Sequence, residues 1–199
     1  MTSQPFTLRS AAGLPAEPQP LADSTLIIID AQREYVAGPL VLEGVDDAVS
    51  NIVALLAAAR AGKAPIIHIA HLGATGGLFD PEVGGRFIEA VEPEAREVVV
   101  KKGLPNAFAG TSLQAELQKA PGRQLVIVGF MTHMCVSATA RAALDLGYNS
   151  VVVSDATATR SLPAADTGDD VAAETVHRAS LAALADRFAI VASTERVLA

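Results

Sequence analysis

Three side chains of this 199-residue chain could do chemistry together: Asp30, Lys102 and Cys135. Cys135 is the only cysteine, and it stands in "LVIVGFMTHMCVSATARAALDLGY", after an apolar run and at the opening of a helical pattern. A free thiol ionises near pH ~8.5 and is mostly protonated at neutrality. A helix N-terminus and a neighbouring lysine favour the thiolate. An aspartate within reach can take the thiol proton and pass it to a leaving group. Backbone N–H groups in the turn before the helix can receive the oxyanion formed when a carbonyl is attacked. Each residue also has an ordinary explanation. A lone cysteine packs as a small apolar residue, a strand-end aspartate caps or turns the chain, and a strand-end lysine is solvated. Their joint placement is what points to chemistry.

The elements that must position them can be read from the pattern. "STLIIID" (24–30) is a short β-branched run that ends in Asp30, and "REVVVKK" (96–102) is another that ends in Lys102. "APIIHIAH" (64–71), "RQLVIVGF" (123–130), "NSVVVSDA" (149–156) and "FAIVAS" (188–193) are further strands. Short continuous apolar runs fit strands covered on both faces. Between them, 46–62 reads as a helix with Val49, Ile52, Val53 and Leu56 on its apolar face and Gly62 as its stop. "TSLQAELQKAPG" reads as a short helix capped by Thr111 and ended by Pro-Gly. "CVSATARAALDLG" is a helix stopped by Gly147, and 170–187 is a long one. This alternation predicts a three-layer, Rossmann-like α/β fold with a parallel sheet and helices on both faces. Ligands of such sheets bind beyond the carboxyl ends of the strands, which is where Asp30, Lys102 and Cys135 fall. Residues 71–95 form a long irregular segment, read as a lid with a short helix around Arg86–Ala90. Its "GATGG" and "VGG" lack the spacing of a phosphate cradle and read as hinges beside Phe79.

Composition bounds the rest. The length suits one domain, taken as 23–199 behind a polar extension, 1–22, that holds four prolines and wraps the surface or frays. The net charge of −7 and pI of about 5.0 speak against nucleic-acid and anionic-membrane partners. With no tryptophan and eight Phe plus Tyr, a stacking platform for bases is not expected. No apolar run approaches the length of a membrane span, and no signal-peptide pattern opens the chain. One cysteine makes no internal disulfide, which suits a reducing compartment. The expected location is cytoplasmic.

"LIIIDAQREY", "VVVKKGLPNAFAGTSL", "IVGFMTHMCVSATARAALDLGY" and the later "VVVSDATATR", in that order, resemble the isochorismatase-like cysteine hydrolase superfamily, the nicotinamidase-related amidohydrolases. The resemblance runs from residue 24 to about 195. It implies a six-stranded parallel sheet of order 3-2-1-4-5-6 and a catalytic triad of Asp30, Lys102 and Cys135. Lys102 fits better than Lys101, because it stands six residues before Phe108 and because Lys101 would point to the other face of its strand. The resemblance also implies a non-proline cis peptide at Phe130–Met131 and an oxyanion hole made by the N–H groups of Met131 and Cys135. The implied reaction is hydrolysis of a small-molecule amide through a thioester on Cys135. Gln32, Tyr35, His71, Phe79, Phe108 and His133 are the candidate substrate contacts.

No cofactor is expected. No catalytic metal is expected either, since no histidine lies between Asp30 and His68, and His68 and His71 point to opposite faces when three apart in a strand. The expected partners are a small-molecule substrate and further copies of this chain, as a homodimer or homotetramer. Cleavage of a vinyl ether, ester or thioester, or a binding module on the same fold, stand as the alternatives.

Overall fold

The computed structural model describes residues 5–120, 122, 124–166 and 168–199. In chain order these form α1 (Leu8–Ala11), β1 (Thr25–Ile29), α2 (Val45–Gly62), β2 (Ile66–His71), β3 (Val98–Lys102), α3 (Leu113–Leu117), β4 (Gln124–Phe130), α4 (Ser137–Asp145), β5 (Asn149–Ala158), β6 (Leu162–Pro163), β7 (Asp170–Val171), α5 (Ala173–Arg187), β8 (Ala189–Ala192) and α6 (Thr194–Leu198). Six strands make one parallel sheet in the order β3-β2-β1-β4-β5-β8, the order the resemblance implies once these six are numbered by themselves.

The apolar runs are continuous because the sheet is covered on both faces. In β1, Leu26 and Ile28 face one layer while Ile27 and Ile29 face the other. The first layer holds Ile52, Leu55 and Leu56 of α2 with Val197 of α6. The second holds Leu113 and Leu117 of α3, Ala140 and Ala143 of α4 and Leu184 of α5. At the centre, β4 approaches β1 so closely at Gly129 that a Cβ there would lie 2.0 Å from the Ile29 carbonyl oxygen, and the residue has φ 104°. Only glycine tolerates both conditions. This contact brings the end of β4, and the turn bearing Cys135, against the end of β1.

Several local expectations change. The buried stripe of α2 is Val45, Ala48, Ile52, Leu55, Leu56 and Ala59, and Val53 is exposed. One residue along a helix turns the side chain by about 100°, and this step carries Val53 off the stripe centred on Ile52, Leu55, Leu56 and Ala59. The short helix begins at Leu113 with Ser112 as its cap, and Thr111 instead donates to the Ala107 carbonyl and accepts from Leu113 N–H. The Pro-Gly stop and the start of the fourth strand fall partly on Pro121 and Arg123, outside the described residues. The segment from 170 does not start a helix: Asp170–Val171 pairs with Leu162–Pro163 in a small antiparallel ribbon, and α5 begins at Ala173. The irregular loop contains a 3-10 turn at Glu89–Val91. Residues 1–4 of the N-terminal extension are outside the described residues. Beyond them the extension forms α1, whose Leu8 N–H donates to Asp186 of α5. The backbone N–H and carbonyl of Gln19 make two further hydrogen bonds, both to the Gln124 side chain.

Candidate active site

The sheet brings Asp30, Lys102 and Cys135 into contact at the rim. Asp30 follows β1 directly, with its N–H donating to the Ile69 carbonyl of β2. Its φ of 48° is a left-handed conformation that a residue with a side chain holds only under tertiary constraint. Lys102 ends β3, paired with His71 across the ladder, and is buried, whereas Lys101 points to solvent. Lys102 Nζ lies 2.7 Å from Asp30 Oδ2 and 3.2 Å from Cys135 Sγ. The first contact is an ion pair; neither Asp30 oxygen receives a well-aligned hydrogen bond among the described residues. Cys135 is only 4% exposed.

Cys135 does not open the helix, contrary to the sequence pattern. It lies within a π-helical turn, Thr132–Val136, and α4 begins at Ser137. The electrostatics also differ from expectation. Burial pushes the thiol up to about 12, the Asp30 charge adds to this, and Lys102 only partly offsets it. Burial and the Asp30 charge thus favour the thiol over the thiolate, the reverse of what a helix end and a lysine alone would give. Burial also raises the Asp30 carboxyl above the usual carboxylate range, with Lys102 and the Cys135 thiol pulling it partly back. A carboxylate raised in this way is a stronger base than an exposed one. Asp30 and Cys135, both displaced from solution behaviour, thus sit in one buried cluster, the pattern of functional sites.

The sequence candidates around this cluster separate into three groups. His71 joins it: Lys102 Nζ is 3.1 Å from His71 Nδ1. Burial and the Lys102 charge push the imidazole below its ordinary value, so it is neutral at pH 7 and Nδ1 can accept from the ammonium. Phe79 and Tyr35 line up behind His71. The Phe79 ring meets His71 edge to face at 4.9 Å and Tyr35 at 5.3 Å, and Tyr35 in turn meets Phe130 at 5.6 Å. Burial raises the Tyr35 phenol, and the charges of Asp30 and Cys135 raise it further, which places it in the field of the cluster.

Gln32 is not a wall of the site. Its Nε2 donates to the carbonyls of His71 and Gly85, and its Oε1 accepts from His71 N–H. The side chain is spent on tying the end of β1 to β2 and to the loop. Phe108 packs with the second core layer, and its ring stacks on Tyr148 at 6.1 Å. His133 sits two residues before Cys135 with Nδ1 2.5 Å from Thr159 Oγ1. His68 turns away from His71, as strand spacing requires, and meets Glu97 at 2.9 Å. The Phe130–Met131 peptide is cis.

Sequence reasoning did not single out Glu34, Thr159 or Arg160. Glu34 is buried, yet beside Arg33 it reads as one more surface charge. Thr159 holds His133, and Arg160 has a buried Nε without a partner among the described residues. Both lie in "VVVSDATATR", a stretch with its own signal that pattern alone could not convert into contacts.

This fold and this acid–lysine–thiol cluster define a class of α/β hydrolase. Residues 24–196 match the isochorismatase domain, and the chain belongs to the isochorismatase-like cysteine hydrolase superfamily. It is similar to an isochorismatase from Pseudomonas putida KT2440 of known crystal structure, with 46% identity, a TM-score of 0.91 and coverage of 96% of this chain and 98% of that one. It is 36% identical over 193 residues to the secreted isochorismatase effector Isc1 of Verticillium dahliae, covering 96% of this chain and 98% of that protein. It is 29% identical over 185 residues to ureidoacrylate amidohydrolase RutB of Variovorax paradoxus, covering 72% of this chain and 73% of that protein. Among the described residues no helix is long and apolar enough to cross a membrane.

Proposed function

We propose that this hydrolase cleaves a small-molecule amide C–N bond with Cys135 as nucleophile. The observation that carries the proposal is the buried Lys102 ammonium, held between the Asp30 carboxylate at 2.7 Å and the Cys135 sulfur at 3.2 Å. Asp30 takes the thiol proton as sulfur attacks the carbonyl carbon. The oxyanion forms in front of the N–H groups of Met131 and Cys135. Asp30 then gives the proton to the leaving amine, and the C–N bond breaks to leave a thioester. A water attacks the thioester with Asp30 as base, the acid leaves, and the proton returns to sulfur. Lys102 Nζ lies within reach of both neighbours and stabilises whichever is anionic, the carboxylate before proton transfer and the thiolate after it. His71 keeps the lysine in place. Tyr35, Phe79 and His133 are the substrate contacts of this reading.

The amidohydrolase relative favours C–N cleavage. The relatives described as isochorismatases favour a second reading, vinyl-ether cleavage, which needs no sulfur nucleophile. A panel of small primary amides, ureides and N-carbamoyl compounds, run beside isochorismate on the wild type and Cys135→Ala, separates them. Amide turnover that disappears in the variant, with an acyl adduct trapped on Cys135, supports the first reading. Full activity of the variant sinks it. The same reading takes the protein to be a cytoplasmic homodimer or homotetramer that needs no metal or other cofactor. Light scattering, cell fractionation and assay after chelation test those points.

A further inference from the structure

Glu34 is a buried acid that the reaction does not use. It lies on the 3-10 turn Arg33–Tyr35, four residues after Asp30, and is 2% exposed. Its Oε2 accepts one hydrogen bond, from Phe79 N–H at 2.8 Å. Its Oε1 is buried without a hydrogen-bond partner among the described residues. The space for the carboxylate is made by two glycines: a Cβ on Gly84 would lie 2.0 Å from Oε2, and one on Gly38 would lie 2.8 Å from Oε1. No cation lies within ion-pair distance among the described residues. A buried carboxylate with one neutral donor is a poor staple, since its desolvation exceeds what a single hydrogen bond returns.

The partner of that one bond explains it. Phe79 has a φ of 56°, a left-handed conformation that a bulky residue adopts only when held. Its ring contacts His71 and Tyr35, and His71 contacts the Lys102 ammonium. The loop around it is tied to the same turn by Arg33 N–H to the Arg86 carbonyl and Glu34 N–H to the Gly84 carbonyl, both at 2.8 Å. These ties fix residues 84–86, and Gly73 N–H meets the Phe79 carbonyl at 3.2 Å; Glu34 Oε2 is the side-chain group that reaches forward to the Phe79 amide.

We infer that Glu34 is a positioning residue: by accepting the Phe79 amide it holds the Phe79 ring against His71 and Tyr35, and so keeps the 72–86 loop closed over the Cys135 cluster. This rests on the reading of that cluster as the active site, but its test does not need the substrate. The rate of Cys135 alkylation by N-ethylmaleimide reports whether the site is open. Glu34→Ala raises that rate about tenfold or more, and the acceleration is unchanged by up to about 1 M urea, because it comes from local opening rather than global unfolding. Glu34→Gln, which keeps an acceptor for the Phe79 amide, stays within about twofold of the wild type. Phe79→Ala matches Glu34→Ala, and the double variant is no faster than either single one, since both remove the same closure.

Wild-type rates in Glu34→Ala overturn the inference, as does an acceleration that climbs with urea, and so does Glu34→Gln opening the site as far as Glu34→Ala. Should Glu34→Ala fail to fold, Phe79→Ala and Glu34→Gln decide the matter between them: the site must open in the first and stay closed in the second. The cysteine mechanism fails separately, through an active Cys135→Ala, and leaves these labelling rates unaffected.

Discussion

His68 and His71 stand three residues apart in one strand, and each belongs to a charged cluster, the first half-buried and the second buried, in which burial has opposite outcomes. Around His68 the charges are matched, although His68 Nδ1 is buried without a hydrogen-bond partner among the described residues. Burial raises the Glu97 carboxyl, yet hydrogen bonds from Arg60, the Glu94 amide and His68 outweigh this and hold it at about 2. Arg60 Nε and one terminal nitrogen reach the two Glu97 oxygens at 2.8 and 2.9 Å. Around His71 the balance falls the other way. Asp30 and Cys135 are both pushed up, and a single ammonium is shared among a carboxylate, a thiol and an imidazole. A cluster whose hydrogen bonds satisfy its charges stabilises a fold. One held short of satisfaction is the pattern of functional sites, and the proposed reaction uses it for proton exchange.

Substitutions can sharpen or break that contrast. The largest effect is expected at Cys135, where Ala lowers kcat/KM for the true substrate by about a thousandfold or more while the urea midpoint hardly moves. Equal losses in activity and stability would make the thiol a packing residue. Next comes the ion pair. Lys102→Met strands Asp30 without its counter-charge and costs about 3–5 kcal/mol. Asp30→Asn combined with Lys102→Met regains most of that stability and stays inactive, as equilibrium denaturation and an activity assay will read. An active double variant would remove the distinction between the clusters. At the other cluster, Glu97→Gln costs about 1–3 kcal/mol and leaves kcat/KM within about twofold. Loss of activity at unchanged stability would place His68 and Glu97 in the chemistry.

The smallest effect is a pH dependence. Burial lowers the folded pKa of His68, so the unfolded chain takes up a proton before the native one does. Stability from this residue is full above its unfolded value near pH ~6.5 and falls as pH drops below it, toward the lower folded value. Glu97 acts at lower pH, where its contribution fades from about 4.5 down through about 2. His68→Gln should therefore flatten the urea midpoint between about pH 7 and pH 5, by about 1 kcal/mol at most. An unchanged slope would mean that His68 titrates normally.

Much of the fold and of the site was legible in the sequence, and particular residues show why. Asp30, Lys102 and Cys135 end or follow apolar runs, and in a parallel sheet the ends of such runs share a rim. Lys102 could be told from Lys101 because strand periodicity sends neighbours to opposite faces. Gln32, Phe108 and Glu34 could not be sorted in the same way. A glutamine that ties two strand ends together and one that touches substrate look alike in sequence. Phe108 helped to tell Lys102 from Lys101 by its spacing, but its own ring partner Tyr148 is 40 residues on, a distance no local pattern spans. Glu34 was hidden because its burial depends on Gly38 and Gly84 closing around it.

By itself, the sequence determined the order of strands and helices, the two-faced burial of the sheet and the residue types at its carboxyl rim. These follow from local periodicity and from the handedness of parallel connections. Only the tertiary structure decided the direction in which burial shifts Asp30 and Cys135. Whether Cys135 rests as thiol or thiolate depends on how far burial and Asp30 outweigh Lys102, and desolvation is a property of everything packed around a group. The same packing chose His71 over His68 as the imidazole of the cluster, and it gave a buried Glu34 the backbone of Phe79 to hold.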